Sequence, residues 1–96
     1  MTTAKSYKPV GRLDGDNAAT HEQALLALVN ESEGAQQITV DLSELDYISS
    51  AGLRVLLVAA KAAKRKGGTV VLSAPKTSIL EVLKISGFDK ILQVQA

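Results

Sequence analysis

Short β-branched runs alternate along this chain with stretches of helical periodicity, and glycine marks most of the changes between them. Tyr7 to Leu13 is the first strand candidate, and Pro9 suits a sheet edge better than a sheet centre. Asp14-Gly-Asp-Asn17 reads as a turn. Its Asp16 or Asn17 caps a helix that runs to about Glu33 and stops at Gly34, with Leu25, Leu28 and Val29 facing inward. Ile38 to Leu42 is a buried strand, followed by a loop from Ser43 to Ile48. Leu53, Leu56, Leu57 and Ala60 recur at i, i+3, i+4 and i+7, which predicts a second helix reaching Lys66 and ending at Gly67-Gly68. Thr69 to Leu72 is the next strand. Ser78-x-x-Glu81 has the capping-box pattern and opens a third helix with an Ile79, Val82, Leu83 stripe, closed by Gly87. Ile91 to Val94 ends the series as a strand. Strands alternating with helices in this way indicate an α/β layer structure with a largely parallel sheet.

Composition narrows this to one domain over residues 1–96 with an aliphatic core. Hydrophobic residues make up 46% of the 96 positions but aromatics only 3%, so Leu, Ile, Val and Ala must fill the interior. A chain of this size buries roughly 60 to 70% of its unfolded surface. Eleven basic and ten acidic side chains leave a net charge of +1, too little to attract nucleic acid or an anionic membrane through a global field. Partner choice must then rest on a local surface. The absence of cysteine excludes disulfides, thiolate metal sites and thiol nucleophiles, and suits a reducing compartment. No signal-peptide pattern precedes Tyr7. The longest apolar stretch, Leu53 to Ala63, is interrupted by Arg54 and Lys61 and is shorter than the roughly 20 residues that span a bilayer. A cytoplasmic protein without membrane insertion is expected.

The candidate chemistry gathers at Tyr47-Ile-Ser-Ser-Ala-Gly-Leu-Arg54, where a strand-rich segment turns into the second helix. Ser49 and Ser50 fall just before that helix begins. One reading makes either serine an N-cap, the favoured residue type there. The other offers a protein kinase a well-framed hydroxyl, since the first turn of a helix tolerates an added phosphate carrying roughly −1.5 to −2 charge. Elsewhere the signals are weaker. Lys61, Lys64, Arg65 and Lys66 lie at a helix C-terminus, where the dipole favours cations, so capping and solvation outweigh nucleic-acid binding. His21, the single histidine, reads as a solvated surface residue. Asp41, Glu44 and Asp46 read as partners for loop amides, and Asp14 stands level between a turn-forming role and a place beside the serine. No Gly-x-Ser-x-Gly elbow, no glycine-rich phosphate loop and no nucleophile paired with a base can be found, so neither an enzyme nor a cofactor is implied.

Val40-Asp-Leu-Ser-Glu-Leu-Asp-Tyr-Ile-Ser-Ser-Ala-Gly-Leu-Arg-Val-Leu56 resembles the signature of the bacterial anti-sigma factor antagonists, the single-domain branch of the STAS family. Gly11-Arg-Leu-Asp14, the glycine turn Lys66-Gly-Gly-Thr-Val-Val71 and Ile85-Ser-Gly-Phe-Asp-Lys-Ile91 extend that resemblance over nearly the whole chain from Val10 onward. It implies a mostly parallel sheet of four, or five, strands with three or four helices. It also implies partner switching: the unphosphorylated domain binds an anti-sigma factor or switch kinase of the histidine-kinase-like ATPase fold. Phosphorylation releases it and a serine phosphatase restores it. Ser50 matches the family's phosphorylated serine, Gly52 its glycine and Asp14 a nearby aspartate. Ser49 and Ala51 stand where the commonest pattern has Asp and Ser or Thr, which makes Ser49 the alternative acceptor. The partner-binding surface implied comprises Asp14, Asp46, Ser49, Ala51, Gly52, Leu53 and Arg54. A constitutive STAS adaptor subunit of a transporter or lipid-export complex, with a purely structural serine, is the alternative.

Overall fold

Val70, Val71 and Leu72 are buried at three successive positions, which a strand achieves only when both faces of its sheet are covered. The computed structural model describes residues 5–31 and 37–95 and builds such a sheet from strands far apart in sequence. The elements run β1 (Lys5–Tyr7), β2 (Gly11–Leu13), α1 (Ala18–Glu31), β3 (Gln37–Asp41), β4 (Leu45–Ile48), α2 (Ser50–Arg65), β5 (Thr69–Ser73), α3 (Thr77–Ile85), α4 (Phe88–Ile91) and β6 (Gln93–Gln95). Four strands form an all-parallel sheet in the order β1-β3-β5-β6, with Ile38 opposite Val70 and Val40 opposite Leu72. Four parallel strands and, among the described residues, four helices fall within the range that the family resemblance implies. There is no fifth strand in the sheet among the described residues: β2 and β4 pair separately as a two-stranded parallel ribbon.

Several boundaries differ from the sequence reading, each for a local reason. Tyr7 to Leu13 is two strands rather than one, because the chain breaks at buried Pro9 and passes from the sheet to the ribbon. The expected Ser43 to Ile48 loop contains β4. Its burial does not alternate, with Leu45 and Ile48 inside and Asp46 and Tyr47 out, so no period-two signal announces it. The Ser78 capping box does not form: Lys76 is the N-cap, with no side-chain cap, and Leu80 N–H closes the first turn onto its carbonyl at 2.8 Å. Ile91 ends the short helix α4, and the last strand starts at Gln93. The predicted stop of α1 at Gly34 lies outside the described residues. Leu25 and Val29 are buried as expected, while Leu28 is half-buried.

His21 is not the solvated residue its isolation suggested. Its Nδ1 lies 2.5 Å from the Tyr7 hydroxyl, with the two rings edge to face, so it joins α1 to the edge strand β1. Burial pushes the Tyr7 phenol above its ordinary pKa, which keeps it protonated.

Helix α2 carries most of the packing. Gly52, Val55, Leu56, Ala59 and Ala63 are buried along one face with Leu53, while Leu57 and Ala60 are half-buried at its margin. The inward stripe thus lies about one position round from the one expected. At its C-terminus Gly68 N–H reaches Ala63 O at 2.9 Å and Gly67 N–H reaches Lys64 O at 3.0 Å, a Schellman closure that needs the left-handed φ of +79° at Gly67. Lys66 extends its ammonium to the Val29 and Asn30 carbonyls, at 3.2 and 3.1 Å, and so caps α1 as well. That contact gives part of the basic cluster a structural task.

At its other end α2 meets β2 at very short range. A Cβ on Gly52 would lie 2.5 Å from the Leu13 carbonyl oxygen, 2.8 Å from Ile48 Cγ1 and 2.9 Å from Leu13 Cγ. The carbonyl cannot retreat freely, because it accepts the Ser49 N–H at 3.0 Å. Gly52→Ala should therefore destabilise the domain by about 1–3 kcal/mol, the usual cost of overpacking. Gly15→Ala, where an added Cβ meets nothing within 4 Å, should change stability by no more than about 0.5 kcal/mol. Urea denaturation of both variants checks the contrast, and equal midpoints would remove the argument.

Candidate functional site

The two serines at the β4–α2 junction do different work. Chain direction changes at Ser49, whose extended backbone (φ −95°, ψ 176°) makes it the N-cap of α2. Its Oγ accepts the Gly52 N–H at 3.3 Å, its N–H donates to Leu13, and its carbonyl accepts the Leu53 N–H at 2.9 Å. Ser49 is half-buried and each of its polar groups has a partner. Ser50 is the first helical residue rather than a position before the helix, and it is exposed. Among the described residues its hydroxyl has no hydrogen-bond partner, so it projects into solvent with nothing to hold it.

Beside Ser50 the first turns of α1 and α2 leave an open groove of about 760 Å³. Helix α2 contributes Ser50, Ala51, Arg54, Val55 and Val58, and the opposite wall is made by Gly15, Ala18, Ala19 and Glu22. Small residues on both walls set the opening. Ala51 is half-buried and Arg54 exposed, so both can meet a visitor at this groove. Gly52 and Leu53 cannot: Gly52 is buried against Leu13, and Leu53 is 8% exposed within the core. They position the serines and do not form the surface.

The flanking carboxylates are largely engaged. Asp14 accepts Arg12 Nε at 3.1 Å on one oxygen and the Asp16 N–H at 3.1 Å on the other, while Asn17 clasps the same turn through Asp14 N–H and Arg12 O. The Arg12 hydrogen bond first, opposed by partial burial and aided by the Asp16 amide, holds Asp14 below the usual carboxylate range. Arg12 also lies over the half-exposed Tyr47 ring, 4.3 Å from its centroid. Asp46 pairs with Lys76, tying β4 to the start of α3, and Glu44 pairs with Lys8 at 2.5 Å. Asp41 receives the Ser43 N–H at 2.9 Å, and the Ser43 hydroxyl and amide lower its pKa. It is the loop-amide partner that the sequence suggested.

Glu22, Ala18 and Ala19 were not singled out from sequence. Nothing in the pattern of α1 says that its first turn will stand beside the first turn of α2; only the folded topology does. Among the described residues no three His, Cys, Asp or Glu side chains gather where a metal ion would sit, and no helix is long and apolar enough to cross a membrane.

Comparison with known proteins agrees with this architecture. The family model described as Mlab, STAS domain, matches residues 10–93. The protein named "Putative anti-sigma factor antagonist BtrV" from Bordetella bronchiseptica is 43% identical over 84 residues, covering 88% of this chain and 71% of that protein. In fold, the chain is similar to unphosphorylated SpoIIAA, an anti-sigma factor antagonist that has also been solved in its phosphorylated form and is there called a Bacillus cell fate determinant. That likeness has a TM-score of 0.72 at 14% identity, over 100% of this chain and 84% of the other. It is similar too to the STAS domain of a SulP transporter from Vibrio cholerae, with a TM-score of 0.79 at 17% identity over 97% of this chain and 73% of that one. The family match over residues 10–93, the parallel sheet and the near relative together make this chain a member of the STAS domain family.

Proposed function

We propose that the domain is an anti-sigma factor antagonist that works by partner switching, with Ser50 as its phosphoacceptor. The observation that carries this reading is the division of labour between the serines: Ser49 is occupied in capping α2, and the adjacent Ser50 hydroxyl is exposed and unbonded. The names of its relatives support the antagonist role. SpoIIAA, solved with and without phosphate, supports regulation by phosphorylation. The same fold in a transporter domain means that fold alone does not choose between a switch and a constitutive adaptor. The exposed hydroxyl favours the switch.

In the unphosphorylated state the groove wall offers Ser50, Ala51 and Arg54 to a serine kinase of the histidine-kinase-like ATPase fold, with Tyr47 exposed nearby in the chain. The kinase moves the γ-phosphoryl group of ATP to Ser50 Oγ, the hydroxyl proton leaves, and ADP departs. Arg54 and Glu22 leave the groove close to neutral before the reaction. A phosphate adds roughly −1.5 to −2 charge. Within a packed interface that charge must be desolvated, and Glu22 repels it. Asp14 and Asp46 contribute less repulsion than their charge alone suggests, because Arg12 and Lys76 pair with them. A loss of about 1.4 kcal/mol already weakens binding tenfold. A serine phosphatase restores the binding form.

Incubation with the cognate kinase and ATP, followed by mass spectrometry, should place the phosphate on Ser50 in wild type and in Ser49→Ala, and nowhere in Ser50→Ala. Loss of label in Ser49→Ala alone would transfer the acceptor role to Ser49. Ser50→Asp should weaken capture of the kinase at least tenfold, whereas unchanged capture would favour the constitutive adaptor.

The capping role gives a separate readout that needs no partner. Ser49→Ala should cost about 0.5–2 kcal/mol in denaturant unfolding, as loss of an N-cap does. Ser50→Ala should stay within about 0.5 kcal/mol of wild type, as an exposed substitution does. The reverse order of effects would contradict the assignment of roles.

A further inference from the structure

We propose that Arg54 is a built-in clamp for a phosphate on Ser50, so that modification draws this guanidinium away from the docking face and onto the helix's own first turn. The inference rests on the reading of Ser50 as phosphoacceptor and adds the residue that receives the new charge.

Ser50 and Arg54 stand four positions apart on α2 and line the same groove. Side chains at i and i+4 are neighbours on a helix surface, with Cβ atoms roughly 5–6 Å apart. Helical side chains also lean toward the N-terminus, so a long residue covers the turn preceding its own Cα. A side chain at position 54 can therefore reach the turn that carries Ser50. An anion placed N-terminal to a cation at this spacing is the favourable order. A guanidinium offers two parallel N–H donors to phosphate oxygens, which makes it better suited to this contact than an ammonium.

Availability singles Arg54 out among the cations around the serine loop. Arg12 is held by Asp14 and stacked on Tyr47, and Lys76 is paired with Asp46. Among the described residues Arg54 has no ion pair, although Glu22 lines the opposite wall of its groove. The groove, at about 760 Å³, has room for a phosphate between the two walls. Within it Arg54 supplies the attraction and Glu22 the repulsion, so the phosphate has one direction to turn. The positive end of the helix dipole adds to the same field, but it is present whatever residue stands at position 54, and substitution there isolates the clamp.

The test installs phosphoserine at position 50 of the full chain by genetic encoding and follows its second ionisation by ³¹P NMR. No kinase is needed, so failure of the clamp and failure of the switch reading are separate results: kinase labelling judges the one and this titration the other. The midpoint in the otherwise wild-type chain should lie roughly 0.3–0.7 pH unit below that in Arg54→Gln, the size expected of a partly exposed charge-assisted contact. Lys64→Gln removes the same charge from the far end of α2 and should leave the midpoint in place. On phosphorylation the Arg54 Nε–H resonance should also shift, as a new hydrogen-bond acceptor requires. Coincident midpoints for wild type and Arg54→Gln would overturn the proposal. So would an equal shift in Lys64→Gln, which would reduce the effect to diffuse net charge.

Discussion

The Leu13 carbonyl is the point on which the site depends. It accepts the Ser49 N–H, and it lies so close to Gly52 that no side chain fits between them. These two constraints seat the first turn of α2 directly on the end of β2. They also explain why the junction must contain both a capping serine and a glycine three residues later: the cap fixes where the helix starts, and the missing Cβ lets it start there. With the helix held from below, the next residue along, Ser50, emerges on the outer side. Its exposure follows from packing that it takes no part in. A half-buried, fully partnered residue and an exposed one thus stand side by side, and the contrast between them is set by backbone geometry.

The elements that could be read from the sequence are those whose signal is local. Helix α2 was visible through its periodicity, its basic last turn and the paired glycines that end it, and β3 and β5 through β-branched apolar runs. Strand β4 was not visible, because it exists only through its pairing with β2, and half of its residues face solvent. The capping box at Ser78 illustrates the opposite error. A correct local motif was overruled when Lys76, extended and paired with Asp46, opened the helix earlier. His21 shows the same limit for single residues, since its partner Tyr7 belongs to a strand that reaches it only in the folded state.

For the site, the serine pair and Arg54 were legible because they share a short segment. Their surroundings were not. Gly52 and Leu53 belong to the same motif yet point inward, so a motif read as one surface contains two populations: residues that form the face and residues that hold it. Glu22 comes from another helix, and its place opposite Ser50 depends on the way α1 and α2 cross. The acidic residues expected on this surface, Asp14 through the family resemblance and Asp46 through its place beside the serines, are instead taken up by Arg12 and Lys76.

That exchange of neighbours bears on the electrostatics of the proposed switch. If Asp14 and Asp46 were unpaired, the serine loop would be anionic from the start. Both are paired and neither lines the groove, which carries one guanidinium and one carboxylate and stays near neutrality. The phosphate proposed for Ser50 would change the character of such a face more sharply than that of an already acidic one. The change is also local, because exposed charges are screened beyond roughly 8–10 Å at ordinary ionic strength. The basic end of α2, where Lys66 is tied to the carbonyls of α1, stands at the other terminus of the helix and has little influence on it. The proposed switch asks no movement of the fold: the Ser49, Gly52 and Leu13 contacts that fix the start of the helix do not involve the Ser50 hydroxyl.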